Sequence, residues 1–525
     1  MNRAVLVFNR IISGSLLIAA ALVLAVSSLT TIYYDMGYDE DWPQYGRENI
    51  PLLFMLTVLV IAFFYLLYRK KAFENHRGFA AAALLFICAY CLLLILTIRP
   101  QAVNDSKTLD NIINAFMEGD YSSLTEPGGY LFIWPFQLGY VFFGQIVGSI
   151  FGPSNYLVWD ILQLFSILIT LYLIYKITWE IFGDRQICAV TSLLSVGALF
   201  FYNYVTYIYG DILSMAPQTI ALYAMILFTK RGKIRYALIS GAAIAVAVAL
   251  KTNCEITLIA LIAILFLGAF SEKADKNKFG KELFSRLLIA AAFVMITFGV
   301  QKAIDLYYCN LTGLSAIPEG NPAFSHIAMG LQESDLEDGW YNGYNYKVFA
   351  ENNYDTAATK AAAIQNIKET LGEFAKRPLH GARFFVRKFT TQWADSVCVS
   401  THNLDLVSRH VENSSPLVSY LVFGSDKGCP LLIWIMNVFM TVCYLGAFIY
   451  LLGNLRKRKP SASEMLLLIL IFGGILFHEF WEGSSRYAMR YYIYYLPYAG
   501  FGLKRLLDLI AGALCPERGR DRIDK

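Results

Sequence analysis

Long apolar stretches recur along nearly the whole chain. They lie at about 11–33, 51–68, 79–98, 156–179, 187–205, 213–229, 236–250, 254–270, 287–304, 430–452, 464–481 and 488–503. A helix needs roughly 20 apolar residues to cross the hydrocarbon of a bilayer. Inside that layer each backbone polar group must be satisfied within its own segment, which favours helices for runs of this length. The expected fold is therefore an all-α polytopic membrane protein with about twelve transmembrane helices. Composition agrees: 57% of the 525 residues are hydrophobic and only 16% charged, where soluble domains carry about a quarter charged. A soluble globule is excluded. The bilayer is a partner by necessity, and no nucleic-acid partner is expected. The first run is long and lacks a convincing cleavage site, so it reads as an anchor rather than a signal peptide.

One further apolar stretch, 130–152, is ambiguous, and the charges between spans test it. Basic loops stay in the cytoplasm. Four such loops are present: Arg69, Lys70, Lys71 and Arg77; Lys230, Arg231, Lys233 and Arg235; Lys273, Lys276, Lys278, Lys281 and Arg286; and Arg456, Lys457, Arg458 and Lys459. The loops after the first and third spans are acidic, with Asp35, Asp39, Glu40 and Asp41 in one and Asp105, Asp110, Glu118, Asp120 and Glu126 in the other. If 130–152 crossed the membrane, the first basic loop and the later three would fall on opposite sides. If it stays on the outer face, all four are cytoplasmic. The stretch is therefore expected to be juxtamembrane or re-entrant, and Trp134, Pro135, Gln137 and Gln145 suit that position.

The domain plan follows. Residues 1–98 are N-terminal transmembrane helices and 99–155 an outer loop with the juxtamembrane segment. Residues 156–304 form the transmembrane core and 305–428 a mixed extracytoplasmic domain. Residues 429–505 are C-terminal transmembrane helices and 506–525 a cytoplasmic tail. Both termini are expected inside. Of the nine Cys, most lie in apolar runs as small buried hydrophobes. Cys309 and Cys398 lie outside and could pair.

Acidic residues at or near membrane depth are costly and mark functional sites. This topology puts Asp105 and Asp211 together at the outer surface. Two carboxylates there suit a general base with a metal or substrate anchor. Equally, Asp105 suits a solvated loop and Asp211 the N-terminus of the following helix. Near the outer end of the eleventh span stand His478, Glu479 and then Glu482-Gly483-Ser484-Ser485-Arg486-Tyr487. Arg486 is suited to phosphate because its planar fork bonds two oxygens, or to an ion pair with Glu482. His478 fits a packing role better than a ligand role.

The order of these features resembles the GT-C superfamily of membrane glycosyltransferases. It is most similar to the protein mannosyltransferase and aminoarabinose-transferase branch, glycosyltransferase family 39 with its bacterial relatives. Asp105, Gly119-Asp120-Tyr121, Pro127, Phe151-Gly152 and Asp211 carry the resemblance in that order, best over residues 99–255. The Glu482-to-Tyr487 string looks like an ending common in bacterial relatives, and His326-Ile327-Ala328-Met329-Gly330-Leu331, followed by Gly339-Trp340-Tyr341-Asn342, resembles a stretch of Gram-positive members. The resemblance implies a GT-C fold. It also implies inverting transfer of a sugar from a polyprenyl-phosphate carrier to a glycan or wall-polymer hydroxyl, outside the cytoplasmic membrane. Asp105 and Asp211 would be catalytic, Asp105 as the base. Lys251 and Arg486 would hold the donor phosphate, and Asp120, Tyr121, Glu482, Tyr487 and His326 would bind substrate. Two features depart from the pattern. Asn104-Asp105 stands where relatives often carry an acidic pair, so any divalent metal has no assigned ligand. Two extra spans precede the catalytic loop, where one span is usual, and they read as an N-terminal addition.

Two other classes fit parts of the sequence. A transporter or flippase of lipid-linked sugars would favour internal repeats and a midplane site, and no repeat is present. A glycan polymerase or ligase would place its key Arg and His residues in a late outer loop.

Overall fold

The computed structural model describes residues 3–269, 279–410, 416–423, 429–456 and 461–514. Lys273, Lys276 and Lys278, Lys457, Arg458 and Lys459, and the tail beyond Leu514 lie outside the described residues.

The chain opens with α1 (Arg3–Leu29), an antiparallel hairpin of β1 (Thr30–Tyr34) and β2 (Pro43–Arg47), then α2 (Ile50–Arg69) and α3 (His76–Ile98). Residues 30–33, expected to end the first span, leave the helix instead. Their run of Thr, Ile and Tyr favours a strand. Next come α4 (Asn104–Glu118), α5 (Leu138–Phe151) and α6 (Tyr156–Phe182). The core continues with α7 (Met215–Arg231), α8 (Ile234–Leu250), α9 (Glu255–Ala269) and α10 (Phe279–Thr312). The regular elements of the 305–428 insertion are helices, among them α11 (Ala323–Gly330), α12 (Thr356–Lys376), α13 (Pro378–Trp393) and α14 (Ser400–Ser408). The bundle ends with α15 (Pro430–Leu455), α16 (Ala462–Phe480) and α17 (Ser485–Leu514).

Among the described residues, nine helices are long and apolar enough to cross a membrane. The other three apolar stretches are helical but differ in kind. Residues 187–205 form a pair bent by 54°, α8 is a shorter apolar helix, and α17 carries Arg486, Arg490, Lys504, Arg505 and Asp508. α17 tolerates charge because it is the buried centre of the bundle: Tyr491, Tyr492, Tyr494, Tyr495 and Tyr498 are all almost fully enclosed. The ambiguous stretch breaks at Trp134, where the flanking segments turn by 94°. Pro135 follows the break and starts a new helical turn, as proline's fixed φ and missing N–H allow.

Two of the basic loops meet at one end of the bundle. Arg231 binds Glu180 at 2.6 Å, His76 stacks on Trp179 at 5.3 Å, and Gln186 donates to Glu74 at 2.8 Å. Cys309 and Cys398 are separate free thiols.

α15 and α17 cross where small residues let backbones touch. A Cβ on Gly502 would lie 1.8 Å from the Gly446 carbonyl oxygen, and one on Gly446 would lie 2.4 Å from that of Ala499. Gly453, later on α15, faces open space. Gly502→Leu is expected to cost about 3 kcal/mol or more, because backbone and not a flexible side chain must move. Gly453→Leu is expected to be near neutral. Thermal unfolding of the two purified variants in detergent checks the contrast.

Candidate active site

Asp105 sits in the first turn of α4 with its side chain exposed. A carboxylate there is favoured by the partial positive charge at a helix N-terminus. The turn is set by Ser106, whose buried hydroxyl accepts from Val103 N at 2.9 Å and donates to Val103 O at 2.6 Å. Asn104 takes a left-handed φ of +47°, which asparagine tolerates better than bulky residues. α4 is held rigidly behind this turn. Asp110 accepts from Ser154 Oγ at 2.9 Å and Tyr156 OH at 2.7 Å. Gly144 of α5 leaves room for Ile113, which would lie 2.2 Å from a Cβ.

Asp211 and Lys251 are brought together by two glycines. A Cβ on Gly210 would lie 2.4 Å from the Leu250 carbonyl oxygen, and one on Gly139 would lie 2.1 Å from that of Ala249. The chain after residue 210 and the start of α5 therefore both press on the end of α8. Lys251 Nζ meets Asp211 Oδ2 at 3.4 Å and lies 4.2 Å from the centre of the Tyr209 ring. Arg490 Nη2 meets Asp211 Oδ1 at 3.4 Å, and its Nη1 reaches Gln218 and Cys254. Asp211 is thus a buried anion between two cations rather than a solvated helix end.

Arg486 stands above an aromatic floor. Its guanidinium is 5.8 Å from the rings of Tyr207 and Tyr209 and 5.2 Å from that of Tyr487. It donates to the hydroxyls of Tyr207 (3.3 Å) and Tyr487 (3.4 Å), and its Nε is buried without a partner. Glu482 accepts from Tyr487 OH at 3.0 Å instead of binding Arg486. Burial pushes the Glu482 carboxyl up, against the Tyr487 bond and the Arg486 charge, while the negative charges of Asp105 and Asp41 push it further. The Tyr341 phenol is likewise raised by burial, then by Glu482 and Asp105. Asp105, Glu482, Tyr341 and Asp41 are thus electrostatic neighbours that mark the mouth of the site, and the Arg486 charge acts on both Glu482 and Asp41.

The other expected substrate residues lie elsewhere. Asp120 accepts from Ser122 N at 2.9 Å, a turn contact that holds its carboxyl below the usual range. Tyr121 packs edge-on against Phe116 at 4.9 Å. His326 stacks on Trp481 at 4.8 Å and tilts against Trp134 at 5.3 Å, with Asn345 at 3.3 Å from its Nδ1. It ties the bend of the 130–152 stretch to the loop that carries Glu482. His478 is buried and stacked on Tyr487 at 5.3 Å.

Several site residues escape a reading along the sequence. Asp41 comes from the β1–β2 loop, and its carboxyl, raised by burial, is opposed by the charges of Arg486 and His402. The hairpin that carries it is fixed on both sides. Tyr34 OH donates to Asp395 at 2.8 Å and lies 3.1 Å from Ser485 Oγ, while Tyr45 OH donates to Glu337 at 2.9 Å. The buried Lys388 binds the carbonyls of Gly330, Glu479 and Trp481. Arg490 alone had a signal, since it follows Arg486 by four residues and shares its helix face. Among the described residues no three His, Cys, Asp or Glu side chains gather to hold a metal ion.

Residues 138–300 match the family model described as dolichyl-phosphate-mannose-protein mannosyltransferase. This segment holds Asp211 and Lys251, and over it the resemblance read from the sequence is borne out. Two solved structures are similar. The oligosaccharyltransferase of Archaeoglobus fulgidus has a TM-score of 0.43 and 17% identity over 82% of this chain and 51% of that one. ArnT from Cupriavidus metallidurans has a TM-score of 0.32 and 11% identity, over 80% of this chain and 76% of that one. The chain thus spans about half the length of the archaeal enzyme. No curated protein sequence matches it.

Burial lowers the His326 imidazole from 6.5 to about 4. A base lowered in the fold is neutral there while the unfolded chain takes up a proton, so stability is complete above pH 6.5 and falls as pH drops toward 4. The full shift is worth about 3 kcal/mol. Thermal unfolding at pH 7 and pH 4.5 is expected to show this loss, and His326→Phe is expected to reduce it.

Proposed function

We propose that this chain is an inverting glycosyltransferase, moving a sugar from a polyprenyl-phosphate carrier to an acceptor hydroxyl at the outer face of the cytoplasmic membrane. The observation that carries the reading is one exposed carboxylate, Asp105, whose charge acts on Tyr207 and Tyr209, the tyrosines that lie beneath the buried Arg486. The match over residues 138–300 supports the same class.

The chemistry divides between the two sides of the mouth. The acceptor oxygen attacks the anomeric carbon as Asp105 takes its proton. The bond from that carbon to the phosphate oxygen breaks, and its electron pair leaves with the lipid phosphate. Attack from the face opposite the leaving group inverts the centre. Arg486 and Lys251 hold the phosphate, where fixed cations in a partly dry site stabilise the charge that develops on departure. Asp211 and Arg490 position Lys251. The unpartnered Arg486 Nε and its weak tyrosine contacts leave the guanidinium available to an incoming anion. The acceptor belongs to the surface glycans or wall polymers that lie outside such a membrane. A transporter or flippase of lipid-linked sugars is the alternative class, and it gives no task to an exposed carboxylate at the mouth.

Membranes carrying the wild-type chain, given a radiolabelled polyprenyl-phosphate sugar and cell-surface glycan, are expected to transfer label to polymer. Asp105→Asn is expected to lower that transfer by about 100-fold or more, the usual contribution of a positioned base, with donor binding retained. Arg486→Gln is expected to raise the donor KM instead. Undiminished transfer by Asp105→Asn would remove the base assignment. Label that crosses the membrane without transfer would favour the flippase.

A further inference from the structure

The far end of α4 lines a second recess, remote from Asp105. It lies between the last turns of α4, the outer flank of α5 and the end of α10, and encloses about 480 Å³, within the range of small-molecule sites. Phe142, Ile146, Ile150 and Leu311 give it apolar walls. Ile146, Ile150 and Leu311 are 44%, 66% and 44% exposed and continue the recess onto the outside of the bundle. An exposed apolar face on a juxtamembrane helix suits contact with lipid at the edge of the bilayer.

Its polar groups are of one kind. Tyr121, Gln145, Ser149 and Tyr307 also line it. Each can donate a hydrogen bond and none is charged. Tyr308 donates to Gln145 Oε1 at 2.5 Å, which turns the Gln145 amide into a donor. α10 has 34 residues and so runs roughly 50 Å at 1.5 Å per residue. That exceeds the ~30 Å hydrocarbon layer. Its last turns, with Tyr307 and Leu311 on the Asp105 end, reach the interfacial layer where the glycerol esters of phospholipids lie.

We propose that this groove binds a glycerophospholipid of the surrounding bilayer, one acyl chain against the apolar walls and its ester carbonyl accepting from the hydroxyl and amide donors. The ester separates this ligand from a polyprenyl chain, which has no acceptor along its length. The site is independent of the reaction at Asp105.

The full-length protein is exchanged into detergent with 1-palmitoyl-2-oleoyl phosphatidylglycerol, and native mass spectrometry counts retained lipid. The wild type is expected to retain one more lipid than Ile146→Trp, which fills the groove from its exposed side. The ether-linked analogue of the same lipid is expected to bind the wild type about fivefold more weakly, the loss of one neutral hydrogen bond. The ester–ether comparison needs no variant and decides the case if Ile146→Trp fails to fold. Equal retention by Ile146→Trp, equal binding of the ether lipid, or one-for-one displacement by undecaprenyl phosphate would each overturn the assignment.

Discussion

The site rests on one buried ion cluster, Asp211 held between Lys251 and Arg490. Charges taken out of water survive only when paired and hydrogen-bonded, and breaking such a pair from one side costs about 3–5 kcal/mol. The cluster therefore fixes the relative position of everything that bears on it. Lys251 is the end of α8, Arg490 belongs to α17, and Asp211 leads into α7. Its stoichiometry is as important as its strength. One carboxylate cannot neutralise two cations, and Arg486 adds a third a turn away. The surplus around Asp211 is positive, and the carboxylates Asp105, Asp41 and Glu482 are gathered at the mouth. In the proposed reaction the phosphate sits with the cations and the proton passes to the carboxylates.

The N-terminal hairpin changes how the first two spans are understood. As a sequence they look like an addition preceding the catalytic loop. In the fold, the hairpin reaches into the mouth. Tyr34 is almost completely buried against Asp395 and Ser485, the residue before Arg486. Gly37 N donates to Asp405 at 3.0 Å, and Arg409 joins Asp39 to Asp405. These contacts tie the hairpin to α14 and to the start of α17. It also supplies Asp41, a second carboxylate where Asn104 stands beside the first.

What the sequence made legible follows from how each feature is encoded. Spans are written locally, as twenty apolar residues in a row, and so all twelve stretches are helical even where one bends or shortens. The turn at Trp134 was legible through charge, because the basic loops could share one side only if 130–152 failed to cross, and the 94° break is consistent with that. Asp41, Lys388 and Asp395 were not legible. Each acts on residues far along the chain, and nothing in their neighbours marks them. Burial was the other blind spot. Asp120 and Asp105 sit in similar acidic loop sequence, yet one caps a turn while the charge of the other acts on Glu482 and Tyr341, a difference set by their places at opposite ends of α4. The same holds for His326, whose sequence setting suggests a ligand and whose stacking between Trp134 and Trp481 makes it a joint.

That joint explains why the insertion matters to a site built mainly from the bundle. Arg486 is useful only if the 481–485 loop holds still. The loop links α16 and α17, and within the bundle Trp481 stacks on Phe477 at 5.0 Å and Glu482 accepts from Tyr487. The insertion supplies the clamp. Lys388 binds the carbonyls of Glu479, at the end of α16, and of Trp481 in the loop, Gly483 N donates to Gly339 O at 2.7 Å, and His326 stacks on Trp481. Gly330 can approach only because it lacks a Cβ, which would lie 2.4 Å from the Trp481 carbonyl oxygen. The insertion thus grips the cation-bearing loop from one side, while the hairpin grips Ser485 from the other. The proposed reaction needs such close positioning of charge at the leaving phosphate, and here it comes from two segments that carry neither Lys251 nor Arg486.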